Sequence, residues 1–194
     1  LRVLLLPLLD YWQRIVMSNK KKIYIGLAVL LILLFSKKVS ASSIISKFEG
    51  IVRDKKDRTK IIAYKDFPGG IWTIGYGNTS NPYTGEKVKE GMVIDEKTAL
   101  DWLNKDIEKR QLAIKKILKR TPTANQMSAM TSLAYNIGVT AFADSAIRKN
   151  FDAGNFQKAA DSFLLYNKAR KDGKLIVIEG LTNRRKLERE LFLK

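Results

Sequence analysis

Hydrolytic chemistry in this sequence has to rest on carboxylates, lysine or hydroxyls, because its 194 residues contain no histidine and no cysteine. That absence removes Ser-His-Asp and Cys-His hydrolases, histidine-ligated zinc peptidases and amidases, and cysteine metal sites. The simplest remaining device is a carboxylic acid paired with a second carboxylate or a hydroxyl that handles water, as in glycoside hydrolysis. Glu49 closes a short apolar-striped segment just before Gly50. The negative end of a helix disfavours an ionised carboxylate there, which keeps the group protonated nearer neutral pH, as a general acid requires. Asp66 and Thr73 lie on either side of a turn and could be carried toward that helix end. On the residues alone the set is weak, since a glutamate at a helix end is more often a surface side chain. Asp54 and Asp57 are nearer to Glu49 in sequence but rank below Asp66, lacking its strand context.

The elements that must position these groups are readable from pattern. Ser43 is expected to cap a helix with Ile44, Ile45 and Phe48 on one stripe, and Gly50 to stop it. The basic run 51–60 reads as a solvated loop. Ala63 to Asp66 and Ile71 to Asn78 read as strands joined by the turn chemistry of Phe67-Pro68-Gly69-Gly70, with a bend at Gly75-Tyr76-Gly77 and a third strand near Lys87 to Lys89. From Asp95, as N-cap, a long helix carries Leu100, Leu103, Ile107, Ile114 and Leu118 at helical spacing. Thr123 and Gln126 have capping-box spacing ahead of a Met127, Met130, Ala134, Ile137 face that ends at Gly138. Shorter helices are expected around 142–151, around 156–166 capped by Asn155, and around 183–193. The fold class is α+β, a small β-hairpin region followed by a larger α-helical lobe.

Residues 23–35 form an uncharged apolar run between Lys20-Lys21-Lys22 and Lys37-Lys38. Thirteen residues fit the apolar region of a secretory signal better than a full span, which needs roughly 20. Val39-Ser40-Ala41 offers a small-x-small cleavage pattern, whereas the flanking lysines can leave an uncleaved anchor. The expected division is therefore an upstream segment 1–16, a signal peptide or signal anchor 17–41, and a globular domain 42–194. Joining the two apolar blocks into a pore-forming hairpin is disfavoured by Asp10, Arg14 and Lys20 to Lys22.

The stretches Phe48-Glu49-Gly50, Ala63-Tyr64-Lys65-Asp66 and Trp72-Thr73-Ile74-Gly75-Tyr76-Gly77-Asn78-Thr79 resemble the opening of the phage-type lysozymes, glycoside hydrolase family 24. Leu133-Ala134-Tyr135-Asn136-Ile137-Gly138, Gly180-Leu181, Arg184-Arg185, Glu188 and Leu191-Phe192-Leu193 resemble later motifs of the same family, so the likeness runs from about residue 44 to the end. It implies a lysozyme-like fold with the active-site cleft between the β region and the helical lobe. It also implies a muramidase that cleaves between N-acetylmuramic acid and N-acetylglucosamine and serves host cell lysis by a phage or prophage. Carried over by position, Glu49 is the proton donor, Asp66 the carboxylate supporting water or transition-state charge, and Thr73 the water positioner. The separation of Glu49 from Asp66 is longer than the family's usual one, which makes 51–60 an insertion, and Gly69-Gly70 adds one residue before Thr73. Asn78 stands where many relatives carry histidine.

Tyr76 and Asn136 are candidate substrate-binding residues, with packing and helix capping as their simpler roles; Trp72 divides the same way. Arg184 and Arg185 are expected to pair with Glu188 or Glu190 on their own helix. No metal site and no cofactor are expected. The expected partners are peptidoglycan glycan strands and, through 23–35, the membrane before release or cleavage, with a monomeric protein exported to the periplasm or cell wall. The net charge of +17 attracts anionic polymers, lipid headgroups or nucleic acid without choosing among them. Nucleic acid is set aside for want of a recognition motif. A catalytically silent wall-binding or membrane-anchored protein on the same fold is the second reading.

Overall fold

The computed structural model describes residues 40–194 other than Asp66, Pro68, Asp172 and the side chain of Lys171. Residues 1–39, with the apolar run 23–35 of the expected signal or anchor, and the candidate Asp66 thus lie outside the described residues. Among the described residues no helix is long and apolar enough to cross a membrane.

The first helix among the described residues, α1, spans Ala41–Phe48. Its cap is Ser40, not Ser43: Ser43 N–H donates to Ser40 Oγ, and Ser40 N–H donates to Ser43 Oγ at 2.9 Å. Ser43 is thus the third helical residue of a capping box, a role a serine fills as well as the more familiar Glu or Gln. The helix stops because Glu49 turns into extended backbone while its own N–H still bonds Ile45 O. Gly50 is not left-handed, so the expected glycine stop is absent.

Helix α1 is sandwiched between two apolar cores. Ile44 belongs to a helical core with Met130, Leu133, Phe142, Phe151, Phe163 and Phe192. Ala41 and Ile45, one turn face away, belong to a second core with Ile61, Ile74, Tyr76, Trp102 and Leu103. The long helix α2, Glu96–Ile117, is capped by Asp95, whose side chain accepts from Thr98 N–H. It gives Ala99 to Ile107 to the second core and Ile114 to the first, so it runs from one lobe into the other. A fully buried Phe or Leu contributes about 1.5–3 kcal/mol, against a few tenths for an exposed helical pair such as Lys105–Glu108. The cores, not the charged surface, hold the lobes.

The β region is small. Strands β1, Ile61–Ile62, and β2, Val93–Ile94, pair antiparallel. Between them the chain makes isolated antiparallel bridges, Tyr64 with Thr73, Ile74 with Asn78 and Ser80 with Lys87. The Tyr64–Thr73 pair shows the expected hairpin, but Ile71 to Asn78 is no continuous strand: Gly75 and Gly77 both have positive φ and fold the chain back on itself. Gly75 also leaves room for close approach, since a Cβ there would stand 3.4 Å from Ala99 Cβ on α2.

The helical lobe continues with α3, Ala124–Ile137, whose Thr123/Gln126 capping box forms as expected and whose run ends at Gly138. The helix expected around 142–151 is two pieces, α4 (Val139–Ala143) and α5 (Ala146–Asp152), split where Ser145 caps the second by accepting from Arg148 N–H. Helix α6, Phe156–Ser162, runs into a single 3-10 turn, Phe163–Leu165, and Asn155 precedes it without a side-chain cap bond. An unexpected antiparallel ribbon follows, β3 (Lys168–Lys171) with β4 (Lys174–Val177). The Asp-Gly dipeptide at 172–173 is the signal that marks it. Helix α7, Glu179–Phe192, closes the chain.

Candidate active site

Glu49 projects from the end of α1, the element that both cores grip. Its side chain is 27% exposed, and Oε1 accepts a hydrogen bond from Arg184 Nη1 at 2.7 Å. Arg184 comes from α7 and is itself only 3% exposed. Two further bonds fix its guanidinium plane: Nη2 donates to Ser132 O on α3 at 3.1 Å, and Nε to Glu188 Oε1 at 3.2 Å. A rigid planar fork held at two corners has one direction left for its third, and that direction is Glu49. The helix end is therefore not the sole electrostatic influence on this carboxylate.

Glu188 is the hub of the network. It is fully buried and accepts from Ser132 Oγ at 2.6 Å, from Arg184 and from Arg185 Nη2 at 3.0 Å. Arg185 Nε stands 2.8 Å from Glu188 Oε2, close enough for an ion pair but poorly aligned as a hydrogen bond. Burial pushes the Glu188 carboxyl up, against the pull of both arginines, and pushes Arg185 down to about 10. The pairing expected within α7 thus forms with Glu188, but as a buried network reaching Glu49 rather than an exposed pair.

Thr73 sits half-buried on the hairpin, exchanging both backbone hydrogen bonds with Tyr64 at 2.8 Å. Its hydroxyl donates to Ile71 O at 3.2 Å, which leaves the oxygen able to accept a bond from water. The basic stretch before it is no open loop. Ile62 N–H donates to Val52 O at 3.0 Å and Asp54 N–H to Lys60 O at 2.9 Å, so the stretch doubles back and closes at its base. Asp54 accepts from the Lys56 and Asp57 N–H groups, and Asp57 from Thr59, which hold both carboxyls below their ordinary range. Those two aspartates are committed to folding the excursion. Arg53 ties it to α2 through Glu96 at 2.8 Å.

Tyr76 is 6% exposed, with its ring in the second core, so packing is its role in this structure. Its carbonyl instead accepts from Tyr135 Oη at 2.7 Å, a bond from α3 to the β region. Burial pushes the Tyr135 hydroxyl well above its usual range, and Arg110, paired with Asp106, lies over its ring at 4.6 Å. Trp72 likewise packs against the second core, with Lys65 Nζ 4.9 Å from its ring centre. Asn136, the residue after Tyr135, is exposed. A cavity of about 600 Å³ lies at Lys115, Arg120, Thr123 and Met127, but no carboxylate lines it.

A glutamate just past the end of α1, a threonine on a short hairpin and a two-lobed core spanned by one long helix agree with what residues 47–188 show when compared with known families: they match Phage lysozyme. The chain belongs to that family. The endolysin of Salmonella phage P22 is 37% identical over 145 residues, covering 74% of this chain and 94% of the relative. The endolysin of Bacillus phage B103 is 40% identical over 152 residues, 78% of this chain, which spans about half (51%) of that relative's length. Among solved structures, the endolysin from Escherichia coli O157:H7 phage FAHEc1 superposes with a TM-score of 0.67 at 36% identity, covering 82% of this chain and 92% of that one. The phage lysozyme fold is accordingly α+β, as expected. Arg184, Ser132 and Glu188 are the site residues that sequence reasoning did not connect to Glu49.

Proposed function

We propose that this chain is a phage-type muramidase of glycoside hydrolase family 24 that cleaves peptidoglycan between N-acetylmuramic acid and N-acetylglucosamine and serves host lysis. Glu49 is its general acid. The observation that carries the reading is the Glu49 carboxylate held at a helix end by a buried, doubly anchored arginine, in a chain of this family. Arg184 occupies Oε1, which leaves Oε2 to carry the proton. Glu49 passes that proton to the glycosidic oxygen as the carbon–oxygen bond breaks. A water held by the Thr73 hydroxyl adds to the anomeric carbon and gives up its proton to Asp66, whose carboxylate also offsets the positive charge that develops on the ring. Asn136, exposed at the end of α3, contributes to substrate binding.

We also infer that residues 17–41 export the domain as an uncleaved anchor rather than a removed signal. Cleavage after Ala41 would delete the Ser40 cap of α1 and a residue that is 3% exposed in the second core. Purified peptidoglycan digested with the chain should release fragments ending in reducing N-acetylmuramic acid, read by mass spectrometry after borohydride reduction. Fragments ending in N-acetylglucosamine, or anhydro products, would contradict the bond assignment. For the anchor, N-terminal sequencing of membrane-fractionated protein should find residues before Ala41 retained.

A further inference from the structure

The β3–β4 ribbon stands outside both cores. Every residue of β4 is exposed, including Leu175 at 62% and Val177 at 57%. The register pairs Lys168 with Val177 and Arg170 with Leu175. Directly paired residues of an antiparallel ribbon project from the same face. One face therefore presents two branched aliphatic side chains flanked by two cations, all four exposed. Counted along the sequence, residues 168–177 hold four cations and one acid, in a chain of net charge +17.

We propose that this ribbon face docks on the surface of an anionic lipid bilayer. The cations supply attraction to negative headgroups, and the aliphatic pair enters the boundary between headgroup and acyl chain. Charge complementarity alone would suit a wall polymer equally well. Leu175 and Val177 decide against it, because a hydrated glycan or polyphosphate strand offers no apolar phase to receive aliphatic side chains, and the ribbon carries no aromatic ring to stack on sugars. The groups bonded to Glu49, Arg184 and Glu188 lie on α1, α3 and α7 rather than on the ribbon, so the proposal is argued from the ribbon's own face.

The absence of cysteine gives a direct test. Val177→Cys in the full chain is labelled with an environment-sensitive fluorophore, and Leu112→Cys, exposed on α2, serves as the comparison site. Both proteins are added to vesicles containing phosphatidylglycerol and to pure phosphatidylcholine vesicles. Because the apolar run 23–35 can tether the chain to either bilayer, the comparison is between sites in vesicle-bound protein. At position 177 the emission should shift to the blue and rise by about twofold or more on anionic vesicles, as an interfacial site requires. Position 112 should change little, and Lys168→Glu with Arg170→Glu should abolish the response at 177. Equal responses at both sites overturn the proposal. So does a response at 177 to soluble peptidoglycan fragments but not to vesicles, which would assign the ribbon to the wall, or one that grows with protein concentration without lipid, which would assign it to a second copy.

Discussion

Glu188→Gln tests whether the buried network holds the site together. The substitution keeps shape and leaves an acceptor for Ser132, but it removes the charge that faces Arg184 at 3.2 Å and Arg185 at 2.8 Å. Arg185 has no exposed surface, so its cation would stay buried without an anion. Breaking a buried pair by deleting one partner costs about 3–5 kcal/mol, a large share of the roughly 5–15 kcal/mol that stabilises a domain. For a domain of this size each kcal/mol moves the melting temperature by about 2–4 °C, so the midpoint should fall by about 6–20 °C. Thermal unfolding followed by circular dichroism reads this directly. Replacing Arg185 as well, in Arg185→Met with Glu188→Gln, removes the stranded cation and should recover part of the loss. A Glu188→Gln midpoint close to wild type, or a double variant no more stable than the single one, would refute the view that these charges are a mutually dependent unit. In variants that stay folded, the turnover number should fall while KM holds, because Arg184 loses one of the two anchors that aim it at Glu49.

Thr73→Leu replaces the water-accepting hydroxyl with bulk and should lower the turnover number by about 100-fold, the scale on which misplacing a reactant by an ångström acts; Thr73→Ser should stay within a few-fold of wild type, and the reverse order would remove Thr73 from the mechanism. Asp95 has its carboxyl held below its ordinary value of 3.8 by bonds from Thr98 at the start of α2. A lowered folded value means its stabilisation is present above 3.8 and is lost as pH falls through the folded value. Asp95→Asn should therefore melt below wild type at neutral pH, and the gap should close in acid; a gap that widens in acid would contradict the sign.

Local signals carried far. The capping box at Thr123 and Gln126, the Asp95 cap and the left-handed bends at Gly75 and Gly77 each depend on residues within a few positions, so the sequence shows them directly. Two local features depart from expectation: Ser40 caps α1 in place of Ser43, and Ser145 breaks what periodicity runs together as one helix. The Glu49–Arg184 contact joins residues 135 positions apart and has no periodic signature. Arg184, Arg185 and Glu188 read as an ordinary charged helix face because the pattern gives spacing but not burial, and here the charged face of α7 turns inward. The folding of the basic stretch 51–60 was hidden for a related reason. Its order comes from aspartates bonding to nearby backbone N–H groups, not from an apolar alternation.

In the proposed reaction Glu49 is the source of the proton. Its most direct test is the initial rate at which purified peptidoglycan loses turbidity with Glu49→Gln, compared with wild type at equal concentrations of folded protein. Gln keeps the size of the side chain and can still accept from Arg184, but it has no acidic proton to give. The rate should fall by about 100- to 10,000-fold, the range that positioned acid catalysis contributes. A Glu49→Gln protein that clears peptidoglycan at the wild-type rate would contradict it.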